Sequence, residues 1–150
     1  MNPPQGITIR PFQPADQQEV RALVLAGLEE HWGILDPYKN PDLENISTSY
    51  AEEIFLVALL DRRIIATAAL VFRSVGSAEI VRMSVAAGMR RLGIGSLMLD
   101  SLCEHARRRG IHRLVLETTE TWQEVIAFYQ RFGFVITHRK DGDVYFALDV

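Results

Sequence analysis

Residues 90-RRLGIGSLML-99 place two arginines, a Gly-x-Gly turn and an apolar, helix-like run in immediate succession. The first amides of a helix have no intrahelical partner and carry a partial positive charge, so a helix that begins here offers an anion site. Gly93 and Gly95 keep side chains away from a ligand that approaches the backbone, and Arg90 and Arg91 add full positive charges. The stretch therefore predicts a turn that binds a phosphate or a pyrophosphate.

Short strands and amphipathic helices follow one another along the rest of the chain. Apolar runs of strand length predict seven strands, at 7–12, 54–60, 64–72, 79–85, 113–118, 134–140 and 144–150. Helical spacing of apolar residues predicts helices from Pro14 to about His31–Gly33, around 42–51, over 94–109 and over 121–132. The sheet should be mixed, because two short turns predict hairpins and the 94–109 helix predicts a crossover between parallel strands. The two hairpin turns are 61-DRR-63 and 141-DGD-143.

Composition limits the classes of protein to which this chain can belong. Its 150 residues suit one domain spanning 1–150, and 48% of them are hydrophobic and 23% charged, as in ordinary globular proteins. A net charge of −3 gives no general attraction to nucleic acid or to an anionic membrane. The single cysteine, Cys103, excludes an internal disulfide and a cysteine-rich metal site. Since 1-MNPPQG-6 is no charged-then-apolar leader and no apolar run could span a bilayer, we expect a soluble cytoplasmic protein.

Three kinds of phosphate-binding turn compete for the Gly-x-Gly segment. A P-loop requires Lys followed by Ser or Thr after its last glycine, but Ser96-Leu97 follows here. A dinucleotide-binding turn requires a third glycine where Met98 stands, although Glu117 lies at a distance suited to the acid that binds the ribose. The third pattern, Arg/Gln-x-x-Gly-x-Gly/Ala, is matched at every specified position by 90-RRLGIG-95.

That third pattern resembles the coenzyme A pyrophosphate loop of the GNAT superfamily of N-acetyltransferases. Residues 114-LVLETTETWQEVIAFYQRFGFVI-136 resemble the second signature of the same superfamily. The residues that match it in register are Phe128, Tyr129, Gly133 and Phe134. With 79-EIVRMSV-85 in the place of the fourth strand, the resemblance extends over 79–136. It implies the α+β GNAT fold, in which a central, mixed, mostly antiparallel sheet of about seven strands is flanked by about four helices.

The resemblance also implies a function, the transfer of an acetyl group from acetyl-CoA to a primary amine by direct attack in a ternary complex. The residues that would bind the pyrophosphate are Arg90, Arg91, Leu92, Gly93, Ile94, Gly95 and Ser96. In the superfamily the fourth and fifth strands splay apart, so the free backbone of Met83, Ser84 and Val85 would pair with the pantetheine arm. The Val85 N–H group would also donate to the thioester oxygen as charge develops there. We expect Gly93→Asp or Gly95→Asp to abolish cofactor binding in a protein that still folds.

Three side chains are candidates for the catalytic groups. Tyr129 would donate a proton to the departing thiolate, although its helical spacing with Val125 and Phe132 is also typical of a core stripe. Glu117, at the end of the fifth strand, would accept the proton of the ammonium group, and Glu79, at the start of the fourth strand, is its rival. Either glutamate could instead be a solvated strand end or the partner of an arginine.

One position departs from the superfamily pattern. Many members have an asparagine six residues before the Phe-Tyr pair, where its side chain contacts the cofactor, and this chain has Trp122 there. Because Trp122 continues the stripe formed by Val125, Tyr129 and Phe132, we expect it to pack in the core. The departure favours an alternative function, a coenzyme-A-binding regulatory module that keeps the fold without the chemistry. A nicotinamide-dependent enzyme is the third hypothesis.

The amine is expected to bind between the first helix, the loop after it and the last hairpin, at 28–45 and 138–144. The first segment is net acidic and contains Trp32 and Tyr38, which favours a cationic amine. Its carboxylates are Glu29, Glu30, Asp36, Asp42 and Glu44, against a single lysine, Lys39. No metal, nucleic acid or membrane is expected as a partner, and the resemblance allows a homodimer.

Overall fold

A computed structural model describes residues 3–33, 35–36 and 39–150. Within these residues the strands form one mixed sheet. They are β1 (Thr8–Pro11), β2 (Ile54–Leu60), β3 (Arg63–Ser74), β4 (Ser77–Val85), β5 (Arg113–Thr119), β6 (Val135–Lys140) and β7 (Asp143–Asp149). Their order is β1-β2-β3-β4-β5-β7-β6, and every neighbouring pair is antiparallel except β4 and β5. The sheet therefore differs from the doubly wound parallel sheet to which a dinucleotide-binding turn belongs.

Helices cover both faces of this sheet. In the described residues they are α1 (Gln17–Trp32), α2 (Ile46–Ser49), α3 (Ile94–Arg108) and α4 (Gln123–Phe132). The helix predicted around 42–51 is wrong in extent, because a 3₁₀ turn over Pro41–Leu43 is followed by only the single turn of α2. Asn45 separates the two, since its backbone is extended while its side chain accepts a hydrogen bond from the Thr48 N–H group at 3.1 Å.

Two predicted hairpins are confirmed, each with a turn one residue shorter than predicted. The turns comprise residues 61–62 and 141–142, whose φ angles lie between 51° and 85°. Left-handed backbone at both central positions is the turn geometry whose twist matches that of the flanking strands. The residues that follow, Arg63 and Asp143, already belong to β3 and β7.

Hydrophobic residues fill the space on both faces. β2 is buried on both sides for most of its length, which explains its unbroken apolar sequence. α3 and α4 cover one face, where the fully buried residues include Leu56, Leu70, Met98, Leu99, Leu102, Leu114 and Phe146. α1 and α2 cover the other face, where the buried residues are Val20, Val24, Leu43, Ile46, Phe55, Val57, Ile64 and Ala69.

The parallel pair of strands, β4 and β5, stays together for only three residue pairs. The pairs are Ser77–Arg113, Ala78–Leu114 and Glu79–Val115. Beyond Glu79 and Val115, β4 continues to Val85 and β5 continues to Thr119 without pairing with each other. The predicted splay between these strands is thus confirmed, and it leaves one edge of β4 without a strand partner.

Candidate active site

A cleft of about 1500 Å³ opens where β4 and β5 separate. It runs from the start of α3, along β4 and the outer part of β5, to one side of α4, and α1 contributes a further wall. All the site residues that the sequence predicts line this cleft except Leu92. The Leu92 side chain packs against the hydrophobic core beneath α3 instead.

The first turn of α3 forms a donor-rich end of the cleft. Gly93 precedes the helix with left-handed backbone at φ 78°, and its carbonyl accepts the N–H group of Leu97 at 3.2 Å. The N–H groups of Ile94, Gly95 and Ser96 consequently have no acceptor within the helix, and no side chain caps them. Fifteen aligned peptide dipoles add a partial positive charge at this end. The turn thus presents three free backbone donors and a partial positive charge to the cleft, and anion binding there stays a prediction.

Both predicted arginines are engaged by carboxylates of neighbouring helices. The Arg90 guanidinium donates both terminal N–H groups to the Glu30 carboxylate of α1, at 2.8 Å for the longer bond, and its Nε donates to the Val85 carbonyl at 3.3 Å. The exposed Arg91 pairs with Glu124 of α4 at 3.0 Å. The hydrogen bonds from Arg90 hold the pKa of Glu30 below its usual range, so the carboxylate is ionised at neutral pH. Sequence reasoning missed Glu30 as the partner of Arg90, because the two are 60 residues apart.

The backbone of β4 presents donors to the cleft. Ala86 donates its N–H group to the Ile65 carbonyl of β3 at 2.8 Å, and the preceding residue, Val85, lies opposite Ala66. Since successive residues of an antiparallel strand point their N–H groups to opposite sides, the Val85 N–H group points away from β3. It therefore faces the edge that β5 has left.

Tyr129 lies on the buried face of α4, among aromatic rings. The ring is only 6% exposed, and it lies 5.6 Å from Phe134, 5.8 Å from Phe146 and 5.1 Å from Phe128, centroid to centroid. Tyr129 also lines the cleft, and its hydroxyl forms no hydrogen bond within the described residues. Since no fully buried side-chain oxygen there lacks a partner, this hydroxyl oxygen must be open to the cleft. Burial raises the pKa of Tyr129, so the phenol is protonated throughout the neutral range. Tyr129 therefore lies both in the core stripe and at the cleft, and its role as an acid stays a prediction.

Gly95 allows the close approach of α4 to α3. A Cβ atom at this position would lie 2.9 Å from Cζ of Phe128 and 3.6 Å from Cε of Met83. The predicted outcome for Gly95→Asp therefore needs correction, since that side chain would displace Phe128 as well as add charge. The missing side chain of Gly95 thus lets α3 and α4 pack closely and also leaves the backbone of the turn accessible.

Gly95→Ala tests this packing role. We expect the variant to lose about 1–3 kcal/mol of unfolding free energy, because Phe128 must leave its position beside the helix. Urea denaturation measures the change, and Gly88→Ala is the matched control, since nothing lies within 4 Å of a Cβ atom there. Equal stability of the two variants would contradict the close packing.

The two candidate bases occupy different surroundings. Glu79 is the last β4 residue to pair with β5, and its carboxylate accepts hydrogen bonds from Arg73 at 2.6 and 2.8 Å. Glu117 is exposed at the cleft and lies opposite Tyr145 of β7 across the ladder. A hydrogen bond to Glu117 raises the pKa of Tyr145. In the described part of the chain, Glu117 forms no ion pair.

Trp122 does not pack in the core, contrary to the prediction from its helical stripe. It precedes α4 and is half-buried at the cleft, where its ring stacks on His31 at 4.2 Å and lies 5.5 Å from Trp32. The stripe argument fails because Trp122 lies before the first residue of α4, where the helical period does not yet hold. His31 is thus part of the cleft wall.

The acidic segment 28–45, which begins in the last turns of α1, offers less negative charge than its composition suggested. Glu30 pairs with Arg90, Asp42 with Arg82 and Glu44 with Arg21. The 138–144 turn does not line the cleft, and Tyr38 lies outside the described residues. The inference of a cationic amine from the acidic composition is therefore weakened, because arginines compensate these three carboxylates.

Metal-binding clusters and membrane-spanning helices are both absent from the described residues. Across residues 3–33, 35–36 and 39–150, no group of three or more His, Cys, Asp or Glu side chains is arranged to hold a metal ion. None of the helices within the same residues is long and apolar enough to cross a membrane.

Comparison with known proteins identifies the family of this chain and agrees with its fold. Residues 18–134 match the model of the Acetyltransferase (GNAT) family, and the chain belongs to this family. A GNAT-family acetyltransferase of Staphylococcus aureus Mu50 has a TM-score of 0.88 at 23% identity, over 96% of this chain and 99% of that chain. The PaiA N-acetyltransferase of Thermoplasma acidophilum, in complex with coenzyme A, has a TM-score of 0.86 at 18% identity, over 97% and 100%. These likenesses establish the GNAT fold.

The chain is also similar in sequence to a protein described as a probable N-acetyltransferase. The "Probable N-acetyltransferase camello" of Xenopus tropicalis is 29% identical over 122 residues, which are 75% of this chain. The matched region spans only 56% of the Xenopus protein. The likeness therefore concerns the acetyltransferase region and leaves the rest of the relative unmatched.

Proposed function

We propose that this protein transfers the acetyl group of acetyl-CoA to a primary amine, of a small molecule or of a peptide, by direct attack in a ternary complex. One observation carries the proposal: a single cleft joins the free amides of α3, the unpaired edge of β4 and the hydroxyl of Tyr129. The coenzyme A in the Thermoplasma neighbour supports acetyl-CoA as the donor. A cytoplasmic location is part of the proposal, and so is the assembly of the enzyme as a monomer or a homodimer.

The donor would bind along the cleft with its pyrophosphate at the start of α3. The N–H groups of Ile94, Gly95 and Ser96 would donate to the phosphate oxygens, and Arg91 and Arg90 would add charge, the latter by leaving Glu30. The backbone of Leu92 and Gly93 would also contact the pyrophosphate. The pantetheine arm would lie along the edge of β4 that β5 leaves unpaired. There it would pair with the backbone of Met83, Ser84 and Val85.

The chemistry would remove two protons from the amine nitrogen and add one to the departing sulfur. Glu117 would take the proton of the ammonium group, and the neutral nitrogen would then attack the thioester carbon. The Val85 N–H group would stabilise the oxyanion, a contribution of about 3 kcal/mol for one such donor. As the carbon–sulfur bond breaks, Tyr129 would protonate the thiolate. The nitrogen of the tetrahedral intermediate would lose its second proton to water, and the Tyr129 phenolate would be reprotonated from water. Glu117 is favoured over Glu79 as the base because Arg73 already binds the Glu79 carboxylate.

Ligand-dependent unfolding followed by turnover tests the proposal. Thermal unfolding is measured with acetyl-CoA, coenzyme A, NADH and ATP at equal concentration, and a ligand at a hundred times its Kd should add about 2.7 kcal/mol. Thiol release is then measured against a panel of primary amines. A shift with acetyl-CoA and thiol release would support the enzyme. A shift without turnover would indicate the regulatory module, and a shift with NADH or ATP alone would overturn both.

Glu30→Gln tests the arrangement of Arg90. We expect this variant to bind coenzyme A a few-fold more tightly, because the pyrophosphate no longer competes with a carboxylate for the guanidinium. Calorimetric titration at low and high salt measures the affinity. Glu44→Gln, which removes a similar exposed partner from Arg21 far from the turn, is the control. Weaker binding by Glu30→Gln would show that the carboxylate instead holds Arg90 in place for the cofactor.

A further inference from the structure

The free edge of β4 depends on a β-bulge centred on Arg82. The register of β4 against β3 changes from Ala69–Val81 to Thr67–Ser84, so β4 contains one residue more than its partner. Arg82 has a φ of 52°, which is a left-handed backbone on a residue with a long side chain. Such a conformation costs roughly 1–3 kcal/mol and persists only where the surrounding contacts enforce it.

The bulge decides which way the next residues point. Val81 packs against the core beneath α1, and the Arg82 side chain is on the same face, where it bonds Asp42. Met83 then packs against the opposite core, beneath α3. Without the extra residue, strict alternation would exchange the faces of Met83 and of every residue up to Val85. The bulge therefore decides the orientation of residues 83–85, the backbone with which the pantetheine arm is proposed to pair.

Two sets of hydrogen bonds fix Arg82 in this conformation. The hydroxyl of Thr67, a residue with no exposed surface, donates to the Arg82 carbonyl at 2.8 Å. The guanidinium donates to both Asp42 carboxylate oxygens at 2.6 and 2.9 Å and to the Asn40 side-chain oxygen at 3.1 Å. The Tyr50 hydroxyl donates to the same carboxylate at 2.6 Å. The side chain of a strained strand residue is thus held by the segment that connects α1 to β2.

The ion pair of Arg82 with Asp42 is partly buried. Burial by itself would raise the pKa of Asp42, but the hydrogen bonds from Arg82 and Tyr50 outweigh it and hold that pKa below its ordinary value. Removing the carboxylate charge would leave a partly buried guanidinium without its counter-ion. Asp42 and Tyr50 also line the cleft.

We propose that Arg82 is a positioning residue, whose ion pair with Asp42 locks the bulge and thereby aims the Val85 N–H group at the thioester oxygen. The inference rests on the proposed function. Arg82 itself contacts neither the thioester nor the phosphates in this arrangement. The ion pair should affect the stability of the transition state more than the affinity for the donor. The reason is that the turn that binds the pyrophosphate lies on a different element.

Asp42→Asn tests the lock against a matched variant elsewhere in the chain. Asp16 forms a similar two-pronged, partly buried pair with Arg10, at 2.7 and 3.0 Å, and it does not line the cleft. We expect both Asp→Asn variants to melt earlier than the parent. At a temperature where circular dichroism shows all three proteins folded, only Asp42→Asn should lose kcat, by about tenfold to a hundredfold. Its Kd for coenzyme A should stay within a few-fold of the parent value.

Variants of Thr67 provide an independent test through the second hydrogen bond. Thr67→Val removes the hydroxyl at nearly constant volume and should reproduce the loss of kcat, whereas Thr67→Ser should restore most of it. Equal kcat for Asp42→Asn and Asp16→Asn would overturn the inference and leave the acetyltransferase proposal intact. Absence of thiol release by the parent protein would overturn the acetyltransferase itself, and the inference with it.

Discussion

Gly93→Asp should weaken the binding of coenzyme A by at least about 100-fold while the protein remains folded. Gly93 adopts left-handed backbone, which Asp and Asn tolerate better than other residues, at a cost of roughly 1 kcal/mol. A carboxylate there would stand beside the amides of Ile94 to Ser96, where the pyrophosphate is proposed to bind. Two unit charges at 4 Å repel by about 4 kcal/mol near a protein surface, which accounts for a loss of this size.

Gly93→Asn separates this charge effect from the change of shape. Asn has nearly the same volume and the same backbone preference as Asp but carries no charge. We therefore expect Gly93→Asn to bind coenzyme A within about tenfold of the parent, by calorimetry at fixed ionic strength. If the two variants lose affinity equally, shape and not anion binding is responsible. If Gly93→Asp binds as the parent does, the turn does not hold the pyrophosphate.

Tyr129→Phe should lower kcat by about 100-fold and leave stability and coenzyme A affinity nearly unchanged. The hydroxyl forms no hydrogen bond within the described residues, so its removal takes a partner from no other group. The aromatic ring, which fills space among Phe128, Phe134 and Phe146, is retained. A variant with normal melting temperature and normal kcat would show that Tyr129 is only a core residue.

The choice of acyl donor and the pH dependence make this test specific to proton donation. Burial raises the pKa of Tyr129, so its proton is held to a higher pH than in an ordinary tyrosine, near 10. The parent should therefore keep its acid through neutral and mildly alkaline pH. With an acetyl thioester of a more acidic thiol, the thiolate leaves without a proton, and the defect of Tyr129→Phe should shrink. A constant defect across thioesters would argue against the acid role.

Much of the fold could be predicted from the sequence, because its signals are local. Strand runs, the hairpin turns at 61–62 and 141–142, and the glycine turn before α3 each depend on residues close together in the chain. The parallel pairing of β4 with β5 also follows, since a helix of 15 residues crosses between them. Errors were confined to element ends and to the short segment before β2.

Only the tertiary structure decided which distant groups meet in the cleft. Local pattern gives no indication that β7 lies between β5 and β6, that Glu30 binds Arg90, or that Trp122 stacks on His31. It also does not reveal the bulge at Arg82, because the bulge is held by side chains from β3 and from the segment before β2. Sequence thus determined the kind of turn, the elements and the family signature. The ion pairs and the direction in which the β4 residues after the bulge point depend on contacts between residues far apart in the chain. These contacts form only when the strands and helices have packed together.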